Sequence, residues 1–127
     1  MTVLLCACCS GLNYQECCAP YHRNIINPET PEQLMRSRYS AYVLFLIDYL
    51  IQTTHPAKRH LHAKKDIAHW AKRSVWLKLE VCTAYNEMVE FKAYYQNGLK
   101  TIIHHELSTF KKQHGIWYYF SGEHIGL

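Results

Sequence analysis

From Met35 onward, apolar side chains return every three or four positions: Met35, Tyr39, Tyr42, Val43 and Leu46, with Leu34, Ala41 and Phe45 widening the stripe. That spacing predicts one buried helix face. Its start is marked by Thr30-Pro31-Glu32-Gln33, which puts Thr at the N-cap, Pro at the first helical position and Gln at the third, as in a capping box. A second, shorter helix is expected from Asp48, carrying Leu50 and Ile51. His55-Pro56 ends it, because the residue before a proline avoids helical backbone. A third, over about Asp66 to Arg73, would bury Ile67, Trp70 and Ala71.

After Ser74 the period changes to two. Val75, Leu77, Leu79 and Val81 alternate with other residues, and so do Val89, Phe91, Ala93 and Tyr95 in a strand over Met88–Gln96. Asn97-Gly98 is a two-residue hairpin signal, leading into a strand from about Lys100 to Phe110. His114-Gly115 turns into a fourth strand, Ile116–Phe120. Three helices followed by a four-stranded antiparallel meander predict an α+β fold, with the curved sheet packed around the N-terminal helices.

The first 23 residues show no such periodicity, and residues 24–29 look like a connector, so a small module at 1–23 is expected to precede a domain at 24–127. This module holds five of the chain's six cysteines, between positions 6 and 18. Disulfide scaffolds spread their cysteines to join distant loops, whereas a tight cluster points to a metal site. Cys6-x-Cys8, eight residues, then Cys17-Cys18 can surround one Zn²⁺ with four thiolates on two short arms. Four protein ligands leave no open position for water, which favours a structural ion over a hydrolytic one. His22 is an alternative fourth ligand whose spacing fits less well, and Cys82, alone on a strand, is expected to be a small buried residue.

The order Cys-x-Cys, eight residues, Cys-Cys resembles the SEC-C motif, the zinc-binding module first recognised at the C-terminus of the SecA translocation ATPase. With Cys18-Ala19-Pro20-Tyr21-His22, the stretch Thr30–Tyr42, Thr54-His55-Pro56, His105–Phe110, Trp117-Tyr118-Tyr119 and Gly122, nearly the whole chain resembles the bacterial YchJ family. The resemblance implies a cone domain of the nuclear-transport-factor-2-like kind, which agrees with the helices-then-meander pattern. It also implies a protein- or ligand-binding adaptor role for the zinc module. Two departures stand inside the motif: Ala7 replaces the usual Pro between the first cysteines, and Cys9 replaces the Gly that usually follows them. Some members carry a second SEC-C motif. One is present here, so a function needing two zinc modules is expected either to be absent or to require a homodimer.

Composition narrows the classes. Hydrophobic residues at 49% and charged residues at 19% exclude a disordered chain. No apolar run approaches the roughly 18 residues that span a bilayer, so no membrane segment is expected. Val3–Cys8 loosely resembles a lipoprotein cleavage box, but no basic residue precedes it and its apolar run is too short for a signal core, so a reducing, cytoplasmic setting is expected. Residues 58–73 carry Lys58, Arg59, Lys64, Lys65, Lys72 and Arg73 against Asp66 alone, a patch that is either a solvated face or a weak nucleic-acid contact. The net charge of +4 falls to about +2 once four thiolates hold a zinc ion, which weakens the nucleic-acid reading.

On the third strand, His104 and Glu106 share one face and His105 points to the other. An inward Glu106 needs a partner, with Arg38, His55 or a Tyr hydroxyl as candidates. Cone folds often enclose a pocket, so Tyr42, His55 and Glu106 are candidate pocket residues for a small-molecule-binding or enzymatic role. No complete set of nucleophile, base and orienting group is legible, and Trp70, Trp76 and Trp117 are expected in the core. The leading functional expectation is a zinc-binding adaptor with an unidentified protein partner.

Overall fold

The structure, a computed structural model, describes residues 4–125. Residues 1–3 and 126–127, which the expected module and domain boundaries include, lie outside the described residues. The order is α1 (Ala19–His22), α2 (Pro31–Val43), α3 (Ile47–Gln52), α4 (Lys64–Arg73), β1 (Val75–Tyr85), β2 (Met88–Asn97), β3 (Lys100–Gln113) and β4 (Ile116–His124). The strands form one antiparallel sheet in sequence order, β1-β2-β3-β4.

The start of α2 follows its capping signal. Thr30 Oγ1 accepts from Gln33 N at 3.2 Å. The Gln33 side chain reaches back to Glu29 N at 2.7 Å, one residue beyond the usual capping-box partner. Leu34, Met35 and Tyr39 then bury against Leu79, Val89, Phe91, Ala93 and Phe110 of the sheet. A second core joins the helices through Ala41, Ile47, Tyr49, Leu50, Ile67 and Ala71.

The helix stops before its apolar stripe does. Leu46 N donates to Ala41 O at 2.8 Å and Phe45 N to Tyr42 O at 3.2 Å, the paired bonds of a Schellman ending. Phe45 therefore adopts φ +61° and is exposed, not part of the buried face.

Strand β1 also departs from plain alternation. Bulges between Trp76 and Lys78 and between Val81 and Thr83 shift its register. Trp76, Leu79 and Val81 pair with Tyr95, Ala93 and Phe91, so they share the inner face, while Val75 and Leu77 turn outward and are exposed. Cys82, next after the inward Val81, faces outward beside the second bulge and is exposed, correcting the expectation that it is buried. The hairpin after β2 is displaced by one residue: Asn97 pairs with Lys100, leaving Gly98-Leu99 as the loop, with Gly98 at φ +64°.

Candidate functional site

Two sites emerge, one in the cysteine module and one under the sheet. In the module, Cys6 N donates to Leu12 O at 2.8 Å and Tyr14 N to Leu4 O at 2.9 Å, closing a two-armed knuckle. The arms bring Cys6, Cys8, Cys17 and Cys18 together with every sulfur within 4.8 Å of the others. Cys8 and Cys17 are 3.6 Å apart and Cys17 and Cys18 are 3.9 Å apart. Sulfurs placed about 2.3 Å from a tetrahedral ion lie roughly 3.8 Å from one another, so the cluster has the dimensions of such a site. Cys6, Cys8 and Cys18 are buried. Hydrogen bonds from Cys18 and Cys6 pull the Cys8 thiol down, while the contacts of Cys18 with Cys6 and Cys8 push its own thiol far up. Four thiolates cannot share this volume without a cation, and a divalent ion removes that conflict.

Three contacts hold the module to the rest of the chain. Arg36 Nη1 donates to Cys8 O at 2.8 Å. His22 lies 2.8 Å from both the Tyr14 hydroxyl, through Nδ1, and Ser37 O, through Nε2. Because a carbonyl only accepts, Nε2 carries the proton and Nδ1 accepts from Tyr14. His22 is thus a clamp between α1 and α2, and burial lowers its pKa. Cys9 takes φ +65°, which accounts for glycine being the residue usually found there, and its Sγ accepts from Leu79 N at 3.4 Å.

The second site is a cavity of about 320 Å³ between α2, the 61–70 segment and the inner face of the sheet. Exposed Leu61, Ala63 and Asp66 mark its mouth. Its walls are aromatic: Tyr42 meets Trp70 and Trp76 at centroid separations of 5.2 and 5.4 Å, and Trp70 lies 5.4 Å from Trp76 and from His104. Of the tryptophans expected in the core, Trp76 forms wall as well as core and Trp70 forms wall, whereas Trp117 packs on the α2–sheet core.

Alternation on β3 lines up His104, Glu106 and Ser108 on the cavity face. Glu106 Oε1 pairs with His104 Nε2 at 2.7 Å. Its Oε2 accepts from Ser108 at 2.5 Å and from the Tyr119 hydroxyl at 3.1 Å. Burial alone would raise the Glu106 pKa, but the His104, Ser108 and Tyr119 bonds outweigh it, and the pKa is lowered. In a bulge at Phe120 on β4, Phe110 pairs with Tyr119 and Thr109 with Ser121, so Tyr119 and Gly122 both face inward. A Cβ at Gly122 would run into the Glu106 carboxylate. The serine hydroxyl is bonded to the carboxylate and not to the imidazole, so this order does not make an activated nucleophile.

Of the expected pocket residues, Tyr42 and Glu106 line the cavity and His55 does not. His55 N donates to Tyr119 O at 2.8 Å, which pins the loop to β4 and turns the ring toward Tyr118 and Phe120. Arg38 is near the site without touching Glu106 by hydrogen bond. Its Nη1 donates to Leu50 O at 2.9 Å and Thr53 Oγ1 at 2.7 Å, and its guanidinium lies 4.5 Å above the Tyr119 ring. An arginine inside the apolar stripe of α2, one turn before Tyr42, was the sequence signal for it.

Elsewhere, His105 faces outward and bonds Glu90 at 2.7 Å, and with Cys82 these residues bring three donor atoms within 4.8 Å on the outer face of the sheet. The basic segment is partly engaged within the chain. Arg59 donates to Ile51 O, Gln52 O and Thr54 O, Lys64 pairs with Asp48 at 2.7 Å, and Lys58 lies over Phe120. Among the described residues, no helix is long and apolar enough to cross a membrane.

Comparison with known proteins agrees with both parts of the structure. Residues 30–122 match the family described as YchJ, middle NTF2-like domain. A UPF0225 protein of Actinobacillus succinogenes is 41% identical over 121 residues, covering 91% of this chain and 79% of the relative. One from Vibrio parahaemolyticus is 43% identical over 123 residues, covering 92% and 73%. The solution structure of a SEC-C motif containing protein from Rhodopseudomonas palustris superposes with a TM-score of 0.89 at 37% identity, covering 95% of this chain and 98% of that one. A crystal structure of a SEC-C motif containing protein from Psychrobacter arcticus gives 0.79 at 38% identity, covering 91% and 80%. With the cysteine knuckle at one end and the matched cone domain behind it, this chain belongs to the YchJ family.

Proposed function

We propose that the cone domain binds a small organic molecule in the cavity beneath its sheet, and that the cysteine module holds one zinc ion as a structural staple beside it. The observation that carries the first part is an open cavity lined by aromatic walls and a half-buried, charged Glu106. A carboxylate serving only as an internal anchor would have no open volume beside it. A volume of about 320 Å³ falls at the lower end of small-molecule sites, roughly 300–1,000 Å³. Ala93 lies on the cavity floor, so Ala93→Phe should fill it. Thermal-shift screening of small aromatic compounds should give hits with the native protein that vanish in Ala93→Phe. Hits that persist in that variant place binding elsewhere and defeat the proposal.

The zinc part is supported by the donor set and the sulfur spacing. Metal analysis under reducing conditions should find one zinc per chain, lost in Cys17→Ser, Cys18→Ser.

A second reading, protein binding by the module, is favoured by one observation: Leu4, Leu5 and Leu12 are 67%, 62% and 53% exposed on the knuckle. Apolar groups gathered on one small surface suit a partner. Affinity capture that is unchanged by Leu5→Ser, Leu12→Ser would exclude it.

A further inference from the structure

The polar groups around the cavity are unbalanced. Glu106 uses its two oxygens on His104, Ser108 and Tyr119, so it has little capacity left for a ligand. Of the remaining lining groups, Arg38 is a pure donor with capacity to spare, while His62 and the Tyr39 and Tyr42 hydroxyls can donate or accept. All the Arg38 side-chain hydrogen bonds run through Nη1, leaving Nε and Nη2 with none among the described residues. The Tyr42 hydroxyl also has no partner among the described residues, although the residue is enclosed by protein and keeps part of its surface open to the cavity. Asp66 is the other carboxylate on the lining, and it sits exposed at the mouth.

A site with surplus donors is completed by a ligand rich in acceptors. A guanidinium with its Nε and Nη2 edge open matches the two oxygens of a planar oxyanion. The tilted and edge-on rings of Tyr42, Trp70 and Trp76 leave flat faces suited to a ring system.

Resting on the reading of this cavity as a binding site, we infer that its ligand is a flat organic acid: a ring-containing apolar body carrying one carboxylate or equivalent oxyanion, anchored by Arg38 and Tyr42. At about 320 Å³ the cavity suits a small ligand, at the lower end of the roughly 300–1,000 Å³ range of such sites. An organic amine is disfavoured, because the inner carboxylate is already occupied by three donors and the guanidinium repels a cation.

Three probes of nearly equal shape test this by calorimetry at pH 7 on the full, metal-loaded chain: 2-naphthoate, 2-naphthamide and 2-naphthylmethylamine. The acid is expected to bind at least tenfold more tightly than the amide and the amine. Arg38→Gln should abolish that preference. Because Arg38 also holds the end of α3, Tyr42→Phe provides a milder variant, in which acid affinity should fall severalfold and amine affinity stay unchanged. Amide or amine binding as tight as the acid overturns the ligand class while leaving the cavity a binding site. Failure of all three probes to bind at millimolar concentration overturns both. An acid preference that survives in both variants also overturns the assignment of Arg38 and Tyr42.

Discussion

Glu106 stays charged inside the protein because three donors converge on it, and this makes its contribution to stability depend on pH. Its folded-state pKa is lowered, so the stabilisation is present above the unfolded value of about 4.3 and is lost as pH falls through the folded value. Glu106→Gln should cost on the order of 2 kcal/mol at pH 7, since hydrogen bonds to a charged group contribute about 1.5–3 kcal/mol. Denaturant melts should show the gap between the two proteins closing below about pH 4. A gap independent of pH would remove the charge from the explanation. Gly122 tests the same point sterically. Gly122→Ala should push the carboxylate off Tyr119 and lower the melting temperature by several degrees, although the site lies in an exposed stretch of strand. An unaltered melting temperature would mean that the close approach is not enforced.

At the scale of elements, the ends of helices and the bulges in strands decide which side chains reach the cavity. Phe45 occupies the left-handed position of a Schellman ending, where a residue with a Cβ costs about 1 kcal/mol relative to glycine. Phe45→Gly should therefore raise stability by up to about 1 kcal/mol, read from denaturant midpoints at constant slope, with lowered stability as the contrary result. The helical face from Leu34 to Tyr42 and the inner face of β2 were legible in the sequence because each follows one undisturbed period. So was the sharing of a face by His104 and Glu106. The inner face of β1 was not, because a bulge inserts one residue and inverts the alternation that Val75 and Leu77 begin. Cys82 follows the inward-facing Val81, so alternation alone places it on the outer face; residue type is a poor guide to its burial. His55 was misassigned because a Pro-flanked loop has no period from which to read a direction, and only its pairing with Tyr119 sets where the ring goes. The four cysteines were legible as a group because metal spacing is local, whereas the role of Cys9 as an acceptor for Leu79 depends on a contact seventy residues away.

At the scale of the whole molecule, the cysteine module and the cone domain have separate cores joined by Arg36, His22 and Cys9. A structural metal site supplies folding energy to the segment that it organises. Chelation under reducing conditions should therefore release amide protection over residues 4–25 and leave the sheet protected in hydrogen exchange. Loss of protection throughout the sheet would mean that the two parts fold as one unit. The cavity lies on the other side of that junction, within the cone domain itself. Its use as a binding site is most directly tested by titrating the isotope-labelled protein with 2-naphthoate and following amide and indole resonances. Shifts should concentrate at Tyr42, the Trp70 and Trp76 indoles, His104 and Glu106. Shifts confined to the cysteine knuckle or to the outer face of the sheet, or no shifts at saturating probe, would contradict a ligand-binding cone.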